Sequence, residues 1–181
     1  LQLLLLFTTS FTVNSQSIIN AYAKVTKIGS RKQLTVSNVN IANHTFVVGQ
    51  KVVVMQMQDN VIGSNTNNNS NFGNLSSIAN AGSYEVALIN AVSPASGTPT
   101  MITLSANLVN TYNINTNSSV QVITFRNLGA TYTTTNTITG LAWDGNVGGV
   151  VAMEVNGNLT MNHAIHADRI GFRGGNPSDD A

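Results

Sequence analysis

Cysteine is absent from the 181 residues, so no disulfide framework, thiolate metal site or cysteine nucleophile can be built. Charge is scarce as well. Asp, Glu, Lys and Arg make up 8% of the chain, against roughly 25% in an ordinary globular protein. The formal net charge is +1. The chain therefore has no basic stripe to displace counterions from nucleic acid and no polybasic patch for anionic lipid. Long apolar runs are missing too: LQLLLLF, residues 1–7, falls far short of the ~20 residues of a membrane-spanning helix. No segment holds a 3.6-residue period beyond a turn or two, which leaves little room for helix.

Asn, Thr and Ser fill the polar positions, while Val, Ile, Thr and Tyr dominate the strand-like ones. The chain is expected to be all-β. An exported protein without disulfides must draw stability from burial and backbone pairing, which a barrel or a solenoid supplies by closing or continuing its ladders. Strands are predicted over residues 21–27, 33–36, 51–58, 84–92, 101–104 and 120–125, and these compose a small β-barrel-like domain over 16–126. Within 51–58, Val52, Val54, Gln56 and Gln58 share one face, with Val53, Met55 and Met57 on the other. Residues 59–82 contain NTNNNSN (65–71) and are too polar to offset their own ordering, so a surface loop is expected there.

Residues 148–175 carry a different rhythm. Short alternating runs (150–155, 159–161, 164–170) are separated by Asn-Gly-type breaks. Strands this short and closely spaced suit successive edges of a right-handed parallel β-solenoid, each stacking on its equivalent a turn away. The expected division is a connector over 127–142 and the start of the solenoid over 143–181, opened by the Trp143-Asp144-Gly145 turn with the indole capping the first coil.

The N-terminus has the layout of a secretory signal peptide. The apolar run is followed by small residues, with Val13 at −3 and Ser15 at −1, so cleavage is expected after Ser15 and residues 1–15 should be absent from the mature fold. An initiator Met and a basic leading segment are missing, and the chain stops at Ala181 soon after the coil pattern begins. A fragment truncated at both ends is expected, bound for the cell surface or the extracellular space through the secretion machinery.

Candidate chemistry is sparse. His163, His166 and Asp168 resemble metal ligands, but on a strand only His166 and Asp168 share a face, and a closed zinc site needs four ligands. Asp144-Gly-Asn146 is explained by an Asx turn. Glycoside hydrolysis needs two carboxylates about one bond, whereas Glu85 and Glu154 fall in different units, with Glu85 expected to pair with a Lys or Arg. No Gly-x-Ser-x-Gly elbow is present, and Gly171-Phe-Arg-Gly-Gly175 opens no helix that could cradle phosphate. No catalytic residue, cofactor or metal is assigned, and the chain is not expected to be an enzyme. Trp143, Tyr84, Tyr112 and Tyr132 are the candidate ligand contacts, as stacking groups for surface glycans. Other cell-surface proteins are alternative partners; nucleic acid and a membrane span are not expected.

The segments VGQKVVVMQMQ (48–58), GSYEVALINAV (82–92), ITLSANLVNTY (102–112), VQVITF (120–125), LAWDGNVGGVVAMEVNGNLTMN (141–162) and IGFRGG (170–175) together resemble the N-terminal region of large secreted surface proteins of Bacteroidetes. These are adhesin-like or gliding-motility-like chains, often exported by type IX secretion. Gln50 stands where that group tends to have Asp, and Arg169 where it usually has Gly. The resemblance implies a non-catalytic structural segment of an exported adhesin-like protein. Two alternatives stand beside it: a glycan-binding module, or the lead-in to a β-helical polysaccharide-degrading enzyme.

Overall fold

The computed structural model describes residues 16–59 and 78–171. Residues 1–15, expected as a signal peptide, the Asn-rich residues 60–77 and the end 172–181, with Asp179 and Asp180, lie outside the described residues. Every regular element among those described is a strand.

Six strands form a closed antiparallel barrel. They are β2 (Tyr22–Gly29), β3 (Gln33–Asn40), β4 (Lys51–Asp59), β5 (Tyr84–Ser93), β6 (Met101–Leu104) and β7 (Ser118–Thr124), in the order β2-β3-β6-β5-β4-β7 with β7 returning to β2. The β2–β3 turn has positive φ at both central residues, 48° at Ser30 and 56° at Arg31. That geometry normally favours Asn-Gly. Here the Arg31 guanidinium offsets the strain by donating to Leu108 O (2.7 and 3.0 Å) and Val109 O (2.8 Å).

Alternation along the strands divides the apolar residues into two cores. Ala23, Val25, Leu34, Val36, Val52, Val54, Ile89, Ile102, Leu104, Val120 and Val122 fill the barrel. Tyr22, Val53 and Ile123, on the outer face of the neighbouring strands β2, β4 and β7, pack instead under Val147 and Ala152, with Leu141 and Val150 beside them. β4 is thus covered on both faces, which accounts for its nearly unbroken apolar run, VVVMQM. Gln56 points along the Val52/Val54 face, is fully buried, and donates to Asn113 O (3.0 Å) while accepting from Asn113 N (2.8 Å). The polar end of this face is therefore buried and tied to the backbone of Asn113.

The remaining strands are short and pair in parallel. β1 (Gln16–Ile18) pairs with β10 (Thr137–Thr139), β8 (Arg126–Asn127) with β11 (Met153–Glu154), and β9 (Thr131–Thr133) with β12 (Asn158–Thr160). An isolated bridge joins Ile138 to Ile165. Arg126 meets Met153, Thr131 meets Asn158 and Ile138 meets Ile165: partners on all three are 27 residues apart. Backbone bonds between the strands reach the residues on either side of that register, as in Leu128 N to Glu154 O (2.9 Å) and Asn158 N to Ala130 O (3.0 Å). The stretch 127–142, expected as a connector, thus carries β9 and β10. The segment beyond Gly140, expected to lead away from the barrel, first lies across its wall.

Candidate functional site

The barrel and the parallel strands meet at a junction held by three buried side chains. Asn20 is fully buried, donates to Thr124 O and Ala152 O (both 2.6 Å) and accepts from Ala152 N (3.2 Å). Gln121, also fully buried, donates to Gly148 O (2.8 Å) and accepts from Gly148 N (2.9 Å). The Tyr22 hydroxyl donates to Val150 O (2.7 Å) and accepts from Leu141 N (3.2 Å). Burial pushes its pKa up. The three side chains satisfy irregular backbone that an apolar wall would otherwise strand without partners. Gly148 permits the approach: its φ is 107°, and a Cβ there would lie 2.5 Å from Ala142 O.

A polar cleft of about 340 Å³ opens beside this junction, between the residue 44–51 turn, β8 and the segment 154–156. Lys51 Nζ lies 2.6 Å from Glu154 Oε2 and 5.9 Å from the centroid of the Phe125 ring. Asn127 Nδ2 donates to Glu154 Oε1 (3.0 Å). His44 Nδ1 is 3.1 Å from Thr124 Oγ1, and its Nε2 is 3.3 Å from Gln50 Nε2. With the Gln50 amide donating to His44 Nε2, that nitrogen accepts and the ring is neutral. Burial, with Arg126 nearby, lowers the His44 pKa in agreement. Arg126 lines the same cleft, and its guanidinium makes no hydrogen bond or ion pair among the described residues. None of His44, Gln50, Lys51 or Arg126 stood out as a site residue in the sequence, because they come together only through the β4–β7 and β8–β11 pairings.

The four aromatic candidates do not share an element. Trp143 is buried, 6% exposed, with its backbone N–H donating to Ile170 O. Tyr112 is half-buried and donates to Val54 O (3.2 Å); burial raises its pKa above the ordinary range. Tyr132 sits half-buried on β9. Tyr84 is 62% exposed on β5, beside the exposed Val86 and Leu88. Glu85 accepts from Val109 N and Asn110 N (2.9 and 3.0 Å) where a Lys or Arg partner was expected. His166 Nδ1 and Asp168 Oδ2 are 3.7 Å apart, while His163 uses its backbone N–H on Thr134 Oγ1. Asp144 Oδ1 accepts from Asn146 N and Val147 N, an Asx turn. No helix among the described residues is long and apolar enough to cross a membrane. No family model, curated protein or solved structure matches the chain.

Proposed function

We propose that this chain is a non-catalytic, structural N-terminal segment of an exported surface protein, in which the barrel caps and starts a right-handed parallel β-solenoid that displays adhesin-like regions. The constant 27-residue offset between parallel partners on three separate strands carries the reading. A fixed offset is the mark of a coil that repeats, since each strand then stacks on its equivalent one turn later. The Asn20, Tyr22 and Gln121 bonds give such a coil a rigid base. The low charge, the hydroxyl- and amide-rich surface and the signal-like N-terminus support export.

A double-cysteine variant tests the coil, and antibody labelling tests the surface role. Thr131 and Asn158 are partners across β9 and β12, and neighbouring strands lie about 4.8 Å apart, within disulfide reach. Thr131→Cys with Asn158→Cys should cross-link on mild oxidation in the isolated chain, and an antibody to the same chain should label intact source cells. Absence of the cross-link would remove the coil. Labelling confined to lysed cells would remove the surface role.

A further inference from the structure

We propose that the cleft at the barrel–coil junction binds a carboxylate-bearing sugar, of the uronic acid class, with Arg126 as its anchor. The charges at the cleft do not balance. Lys51 and Glu154 neutralise each other at 2.6 Å, and the His44 ring is engaged at both nitrogens. Arg126 is left as a half-buried residue whose guanidinium has no hydrogen-bond or ion-pair partner among the described residues. A planar fork of donors in a partly desolvated wall matches a carboxylate bidentately and more strongly than a neutral group.

The rest of the wall suits a hydroxylated ring. Asn156 brings an amide and Leu88 an apolar surface, while the Lys51–Glu154 pair adds a donor and an acceptor for hydroxyls. The volume, about 340 Å³, holds one sugar residue. The inference is independent of the capping role, because it uses side chains that the junction bonds do not employ.

Titrating the intact, isotope-labelled chain with sodium glucuronate, glucose and sodium acetate, read by NMR, tests it. Glucuronate should bind in the millimolar range and shift the His44 ring and Asn156 amide signals, with glucose and acetate each at least tenfold weaker. Arg126→Gln should weaken glucuronate at least tenfold, and Arg126→Lys should fall between. Among the described residues the guanidinium makes no hydrogen bond or ion pair, so both variants should keep the wild-type melting temperature. Equal binding of glucose would remove the carboxylate anchor, and equal binding of acetate would remove the sugar. Unchanged affinity in Arg126→Gln, or no binding of glucuronate to the wild type, would overturn the site itself. Should Arg126→Gln unfold, the three-ligand comparison on the wild type still decides.

Discussion

Asn20 shows how much one polar side chain can hold at the junction. Its amide serves two carbonyls and one N–H belonging to segments more than a hundred residues away. Asn20→Ala would leave these buried groups unpaired, at about 1–3 kcal/mol for each one stranded. A loss of roughly 3 kcal/mol or more in chemical denaturation is expected, and a change below 1 kcal/mol would show that water replaces the side chain. His44 contributes a pH dependence of known sign. Burial, then the Arg126 charge, lowers its folded pKa from the ordinary value of 6.5, so the folded state favours the neutral ring. That stabilisation is complete above the unfolded pKa and is lost as pH falls through the folded one. Asp59 is buried, which disfavours its charge, yet bonds from Asn80, Ser118 and Asn113 hold its pKa below 3.8; it destabilises on acidification only in that lower range. Unfolding free energy should therefore decline first below about pH 6.5, and His44→Gln should flatten that first decline alone. An unaltered slope in the variant would exclude His44 as its source. Neither residue was legible in the sequence, since Asn20 is one Asn among many and His44 lies outside any strand pattern.

At the scale of elements, the barrel strands were the most legible part. Residues 84–92, 101–104 and 120–125 alternate or run apolar between turn residues, and β5, β6 and β7 occupy them to within a few residues. β8, β9 and β10 were harder to see. β8 is Arg-Asn, and β9 and β10 are single Thr-Tyr-Thr and Thr-Ile-Thr alternations too short to establish a period, so their pairing is set by the partner 27 residues on rather than by their own composition. Gln121 did carry a signal, as the one amide within VQVITF, because a lone polar residue in a buried run needs a dedicated partner. Its partner, Gly148, fixes the segment laid across the wall. Gly148→Ala would place a Cβ 2.5 Å from Ala142 O at a φ of 107°, both a clash and a conformation costly for any L side chain. A loss of several kcal/mol is expected in a melting or denaturant series. Arg169 gives the opposite case. It adopts a φ of 61° where the group resembled in sequence usually has Gly, so Arg169→Gly should stabilise the chain by about 0.5–1 kcal/mol. Destabilisation instead would mean that contacts of the Arg169 side chain outweigh its backbone strain.

The whole molecule is divided differently from its sequence pattern. A change of rhythm near Gly140 suggests a barrel followed by an independent coil, whereas the outer wall of β2, β4 and β7 is itself a core, closed by residues 141–152. A fragment ending at Gly140 would expose Tyr22, Val53 and Ile123 and strand the amide groups of Asn20 and Gln121. Burial of a large apolar side chain stabilises by about 1.5–3 kcal/mol, so the three together approach the 5–15 kcal/mol that typically separates a folded domain from its unfolded chain. The full chain should therefore unfold in one transition. Native-state hydrogen exchange should give the amides of Val122 in the barrel, Gly149 at the junction and Asn158 between parallel strands the same opening free energy. The fragment should bind a hydrophobic dye or aggregate. If the Asn158 amide instead opens several kcal/mol more easily while Val122 keeps its protection, the coil is a separate unit resting on a self-sufficient barrel. Equal protection would establish that the wall of the barrel is completed by the strands that stack beside it.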